Sequence, residues 1–277
     1  MMSVKHIFSI SIFSLSVFLF SCGGNKQDNL EETNEVEVNT TLDSQKISAQ
    51  NVFNSIPGRK EIIDLTQAAK AEYNAQTLNN PDNAKGYSLE SSKALNLGVY
   101  GTDLNVTGVF EQTQESMLFL KCVNILAKSL GVSNAFDEKM VDRMEANKEN
   151  RDSTMEIITQ SFKKCDKFLV ENGRPGTSSL IVAGAWVEGI YVACQTAKET
   201  KSEGIVKEIF SQKESLHHLI EMLQHSKVNA DAHYLIDDLT ALETVFNSKS
   251  DAVYNLDAIK TIDEKITGLR TKVTSNK

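Results

Sequence analysis

TSSLIVAGAWVEGIYVACQ, residues 177–195 of the chain, is apolar on nearly every face once wound into an α-helix. At 100° per residue, Leu180, Ile181, Val182, Ala183, Ala185, Trp186, Val187, Ile190, Val192, Ala193 and Cys194 cover most of the circumference. A helix of that kind is normally enclosed by other helices. Its polar and small residues, Thr177, Gly184, Glu188, Tyr191 and Gln195, fall on one narrow stripe. A membrane span is the competing reading, because about 20 apolar residues cross a bilayer. Glu188 at the centre, polar ends and amphipathic neighbours favour a core helix of a soluble bundle. Ala185, Gly189 and Ala193, spaced four apart, predict a ridge against which another helix packs closely.

Working outward, the remaining segments read as helices too. A helix is expected from about Lys60 to Asn74, followed by a loop at 77–87 marked by Asn80-Pro81 and Gly86. Residues 88–130 form the longest candidate, with Gly131 as its stop and with Gly98, Gly101 and Gly108 inside it. Those glycines predict close helix contact or, as the alternative, a kinked or broken helix. Asn134 is the expected cap of a helix over 135–148, and Ser153 with Glu156 forms a capping box for the next. That helix carries Met155, Ile158, Phe162, Cys165 and Leu169 at steps of three and four, a seam for a partner. Thr200 with Glu203 opens another helix, with Ile209, Leu216, Leu219, Ile220 and Leu223 inward. Leu235, Leu239, Leu242 and Phe246 carry one over 231–246, and Ile259, Ile262, Ile266, Leu269 and Val273 carry the last over 256–273. The expected fold is all-α, a mostly antiparallel bundle of about seven or eight helices. LGVYGTDLNV at 97–106 also aligns without gaps on AGAWVEGIYV at 183–192, matching Gly98 to Gly184 and Tyr100 to Trp186.

The N-terminal region belongs to a different class. Lys5 and His6 precede an apolar run from Ile7 to Phe20, too short to span a membrane and followed by Leu19-Phe20-Ser21-Cys22. Such a segment reads as a signal peptide over 1–21, and its end resembles a bacterial lipobox, in which the cysteine becomes the lipidated first residue. Cys22 is therefore the expected lipidation site, carrying fatty acids such as palmitate. Residues 22–46 follow as an acidic, polar tether, and residues 47–277 as the helical domain. Cleavage removes one basic residue, Lys5, and no acidic one, so the formal charge moves from −8 to −9. That sign excludes nucleic acid as the natural partner and excludes charge-driven adhesion to anionic headgroups, so the lipid is left as the anchor.

Chemistry-bearing motifs are scarce. No nucleophile elbow, phosphate loop, HExxH or paired-carboxylate spacing is present, so nothing gives a reason to propose an enzyme or a cofactor. His217, His218, Glu221 and His225 resemble metal ligands in spacing, but helical geometry turns most of them outward, so no metal site is assigned. Cys122, Cys165 and Cys194 read as three buried thiols, with one disulfide plus a free thiol as the competitor. Glu188 is the residue of interest, either solvated or paired within the fold or, with Tyr191, Gln195 and Asp103, lining a ligand pocket. Asp103, in the other glycine-rich helix, is the carboxylate expected opposite it.

Residues 55–57 (SIP), 94–104 (ALNLGVYGTDL) and 184–191 (GAWVEGIY) resemble segments of uncharacterised all-helical lipoproteins of Bacteroidota. The resemblance spans roughly residues 45–250. It implies origin and compartment, a lipid-anchored protein of the outer membrane, facing the periplasm or the cell surface. It transfers no activity and no catalytic residue. The expected function is a non-catalytic helical module that binds a partner protein of the envelope. The alternative is a small-ligand or metal-binding lipoprotein with a pocket along the 177–195 helix.

Overall fold

A computed structural model of the protein describes residues 59–147, 150–248 and 255–275. The signal peptide, Cys22, the tether and the start of the expected helical domain at 47–58 lie outside these residues. Among the described residues there are ten α-helices and no strand: α1 Arg59–Ala68, α2 Glu90–Val109, α3 Thr113–Leu130, α4 Glu138–Ala146, α5 Arg151–Glu171, α6 Pro175–Thr200, α7 Glu203–Ser211, α8 Lys213–His225, α9 Tyr234–Ser248 and α10 Leu256–Thr274. The chain is an all-α bundle.

Two breaks raise the count from about eight to ten. The long helix expected over 88–130 is two helices, because the chain turns at Phe110–Gln112. There Glu111 takes φ +57°, and the Gln112 N–H reaches back to Thr107 O at 2.8 Å. That is a left-handed helix-terminating turn built without glycine. The helix expected after residue 200 breaks at Gln212 into α7 and α8. Three expected caps also shift. Asp137, not Asn134, caps α4 by accepting the Met140 N–H at 3.0 Å. Asn150, not Ser153, caps α5, and Ser202, not Thr200, caps α7. Asp137 and Ser202 are the polar residues immediately before their helices, and α5 starts two residues ahead of Ser153, so in each case the residue directly before the first turn takes the exposed backbone N–H.

Helices α2 and α6 form the centre, and each is buried on almost all sides. They run parallel, unlike the mostly antiparallel arrangement around them. Glu90 meets Thr177 at their N-terminal ends, and further along Thr102 Oγ1 donates to Ala185 O at 3.1 Å. They cross at Gly98 and Gly184. A β-carbon on Gly98 would lie 2.0 Å from Ile181 O, and one on Gly184 would lie 1.9 Å from Leu95 O. Leu95 and Ile181 are themselves partners at the 97-to-183 offset, so the backbone contact at the echoed positions is reciprocal. Of the ridge expected at Ala185, Gly189 and Ala193, Ala185 shares this crossing, its backbone N lying 2.6 Å from a β-carbon built on Gly98, whereas one on Gly189 would meet nothing within 4 Å.

Around this pair, α3 returns antiparallel along α2, and α5 packs Phe162 onto Gly101. On the other side α7, α8 and α10 cover α6, and Trp186 Nε1 donates to Ser215 Oγ at 3.1 Å. The expected stripes are buried: Met155, Ile158, Cys165 and Leu169 on α5, with Phe162 of that seam half-buried; Ile209, Leu216, Leu219, Ile220 and Leu223 on α7 and α8; Leu235, Leu239, Leu242 and Phe246 on α9; Ile259, Ile262, Ile266, Leu269 and Val273 on α10. By length and composition, α6 alone among the described helices is apolar enough to cross a membrane, and most of it is enclosed by protein. Cys122, Cys165 and Cys194 are free and buried.

Candidate functional site

Beyond the Gly98–Gly184 crossing α2 and α6 diverge, and charged side chains fill the space on one side. Glu188 is 0% exposed. Its partner is Arg270 of α10, whose Nε and Nη2 donate to Glu188 Oε2 and Oε1, both at 2.8 Å. This is the bidentate fork that suits guanidinium to carboxylate. Arg270 Nη2 also donates to Thr77 O at 3.2 Å, and its guanidinium lies 4.2 Å above the Tyr191 ring centroid, a cation–π contact. Burial raises the Glu188 carboxyl above its ordinary range, and the two Arg270 hydrogen bonds pull it back. For Arg270, burial acts to discharge the guanidinium, and Glu188 more than offsets it.

Asp103 of α2 is also 0% exposed and lies within hydrogen-bonding reach of Glu188. Its Oδ2 accepts the Asn79 backbone N–H at 3.1 Å, while no N–H or O–H reaches Oδ1. Burial first, and the negative charge of Glu188 second, push the Asp103 carboxyl well above the usual carboxylate range. The two carboxyls titrate as a unit facing one guanidinium.

Residues 71–89 pass over this cluster as two 3₁₀ turns, Ala75–Thr77 and Pro81–Lys85. Besides Thr77 O and the Asn79 N–H, they supply Asn80 O, which accepts from Tyr100 Oη at 2.7 Å. Asn79 Nδ2 donates to Tyr87 Oη at 3.1 Å, and Asn96 Nδ2 donates to Val273 O at 2.9 Å. Main-chain groups of an irregular segment thus complete the hydrogen bonding of side chains from two helices, α2 and α10, as buried polar groups require.

Of the four residues singled out as ligand-binding candidates, the structure brings together Asp103, Glu188 and Tyr191. Gln195 lies apart, donating to Asp263 Oδ1 at 3.0 Å, beside the Lys198–Asp263 ion pair. Arg270 and Asn79 were missed. Arg270 is one of only five arginines among 29 basic residues and flanks the apolar stripe of α10, which is the one signal that marks it. The histidines form a surface network: His217 Nδ1 lies 2.8 Å from Glu243, and His218 Nδ1 lies 3.3 Å from Glu221. Among the described residues no three His, Cys, Asp or Glu side chains converge as metal ligands do. No protein family, curated protein or solved structure matches this chain.

Proposed function

We propose that the protein is a lipid-anchored component of the bacterial outer membrane, held through Cys22, whose helical domain is a non-catalytic module for binding another envelope protein. The observation that carries this reading is the pairing of Glu188 inside the fold. Both Glu188 oxygens are taken by Arg270, which makes the polar interior a brace between helices in place of a substrate site. Apolar surface supports it as well. Met117 and Leu118 of α3 are 41% and 45% exposed, side by side on one helix. The resemblance to uncharacterised Bacteroidota lipoproteins is consistent with that compartment.

A photo-crosslinking residue at Met117, in chain expressed in its own host, tests this. A discrete adduct with one envelope protein, lost on Leu118→Glu and kept in Glu188→Gln, is the expected result. The ligand-binding alternative takes over if native mass spectrometry of protein released gently from host membranes shows a bound small molecule or metal ion that Glu188→Gln removes.

A further inference from the structure

Three features of the Asp103 environment belong together. The side chain is fully buried, one of its oxygens receives no donor, and its neighbour is a second buried carboxylate whose guanidinium is already shared between Glu188 and Thr77 O. Ionised, Asp103 would be an uncompensated charge with a bare oxygen beside a like charge. Protonated, it becomes a donor, and the carboxylate within its reach is Glu188.

We propose that Asp103 and Glu188 hold one resident proton between them, carried on Asp103, and that this proton latches the 71–89 segment over the divergence of α2 and α6. The segment is tied to the cluster through main-chain groups at 77, 79 and 80, on Arg270, Asp103 and Tyr100 in turn. With the proton in place, the cluster holds one anion and one cation. Without it, two carboxylates face one guanidinium. The segment is the part that yields, because it is two short 3₁₀ turns, and its departure admits water to both carboxylates. The other titratable groups facing the pair are Tyr73 and Tyr87 of the segment, Tyr100 of α2, Cys122 of α3 and Tyr191 of α6. Burial holds Tyr73, Tyr87, Tyr100 and Cys122 above their ordinary values, so these four stay uncharged through the neutral range and Arg270 is the cation in play.

Hydrogen–deuterium exchange of the full chain from about pH 6 to about pH 9 reads the latch. Once the intrinsic chemical rate is divided out, wild-type protection over 71–89 is expected to fall by up to tenfold per pH unit above the point where the pair loses its proton. Asp103→Asn keeps a donor for Glu188 and an acceptor for the Asn79 N–H, so its protection stays level. The infrared spectrum gives an independent readout: a protonated-carboxyl stretch in native wild type at neutral pH, absent in Asp103→Asn and in wild type unfolded by denaturant. No such band in the native protein overturns the shared proton. A band present with parallel exchange profiles for wild type and Asp103→Asn, or with no loss of wild-type protection over the range, overturns the latch. If Asp103→Asn does not fold, native against unfolded wild type still decides the first point, and the wild-type pH profile decides the second.

Discussion

Gly184→Ala attacks the crossing on which the bundle is built. Its new β-carbon would sit 1.9 Å from Leu95 O, 2.7 Å from Leu95 C and 3.0 Å from Leu95 Cα. All three are backbone atoms of a helix, so no side chain can turn aside. Reaching an ordinary C···O separation of about 3.3 Å means drawing the helices apart by about 1.4 Å. A gap of 0.5–1 Å already forfeits roughly a quarter to a half of each dispersion contact along the seam, and overpacking a tight core costs about 1–3 kcal/mol. Against this, alanine regains about 1 kcal/mol of helix propensity. Overpacking less the propensity gain leaves a loss of up to about 2 kcal/mol, and because the same seam seals Glu188, separation also wets the ion pair and adds to it. Gly189→Ala is the control on the same helix. Its β-carbon meets nothing within 4 Å, so the propensity gain of up to about 1 kcal/mol stands alone. Urea unfolding followed by far-ultraviolet circular dichroism measures both. Midpoints for the two variants that agree to within about 0.5 kcal/mol of stability would refute the backbone-contact argument.

Arg270→Met leaves the Glu188 carboxylate buried without its partner, and a loss of about 3–5 kcal/mol is expected in the same urea titration. Arg270→Lys should recover only part of it, because an ammonium cannot make the bidentate fork. Asp103 is held above its ordinary 3.8 by burial, so the folded chain binds more protons than the unfolded one. Its stabilising contribution is complete below pH 3.8 and is lost as pH rises through the folded value, by about 1.4 kcal/mol per unit inside that window. Asp103→Asn should flatten that slope in urea titrations run at a series of pH values. Cys165 and Cys194 are buried with thiols pushed up to about 12, and Cys122 to about 11, so thiol reagents should label them at the global unfolding rate. Fast labelling of the native chain would contradict their burial. Glu111→Gly should stabilise by about 1 kcal/mol, because φ +57° strains a side-chain-bearing residue, and thermal unfolding would register it.

Periodicity carried most of the fold. The five stripe residues of α10 are buried as their spacing requires, and so are those of α9. Boundaries failed where the backbone does something its residue type does not advertise. Glu111 and Lys201 adopt positive φ without being glycine, and Asn150 and Ser202 stand close enough to rival boxes to take over their role. The site was legible through anomaly: a carboxylate on the most apolar helix needs an account, and Asp103 on the matching helix was its natural counterpart. Arg270 was not legible, since a cation beside an apolar stripe is ordinarily a snorkelling surface residue. Small-residue spacing was informative at Ala185, which shares the crossing with Gly184, and misled at Gly189, because it states that a neighbour could approach and not that one does.

The chain order of the Glu188 brace has a consequence for biogenesis. Glu188 is threaded long before Arg270, and α2 meets its parallel mate only after α3, α4 and α5 have been made. Until α10 docks, a carboxylate destined for a dry interior has no guanidinium, so the earlier helices can collapse but cannot close. Arrival of the last helix therefore acts as a completeness check on the nascent domain. Chains cut short before residue 270 should stay open and be degraded instead of persisting as partly folded domains.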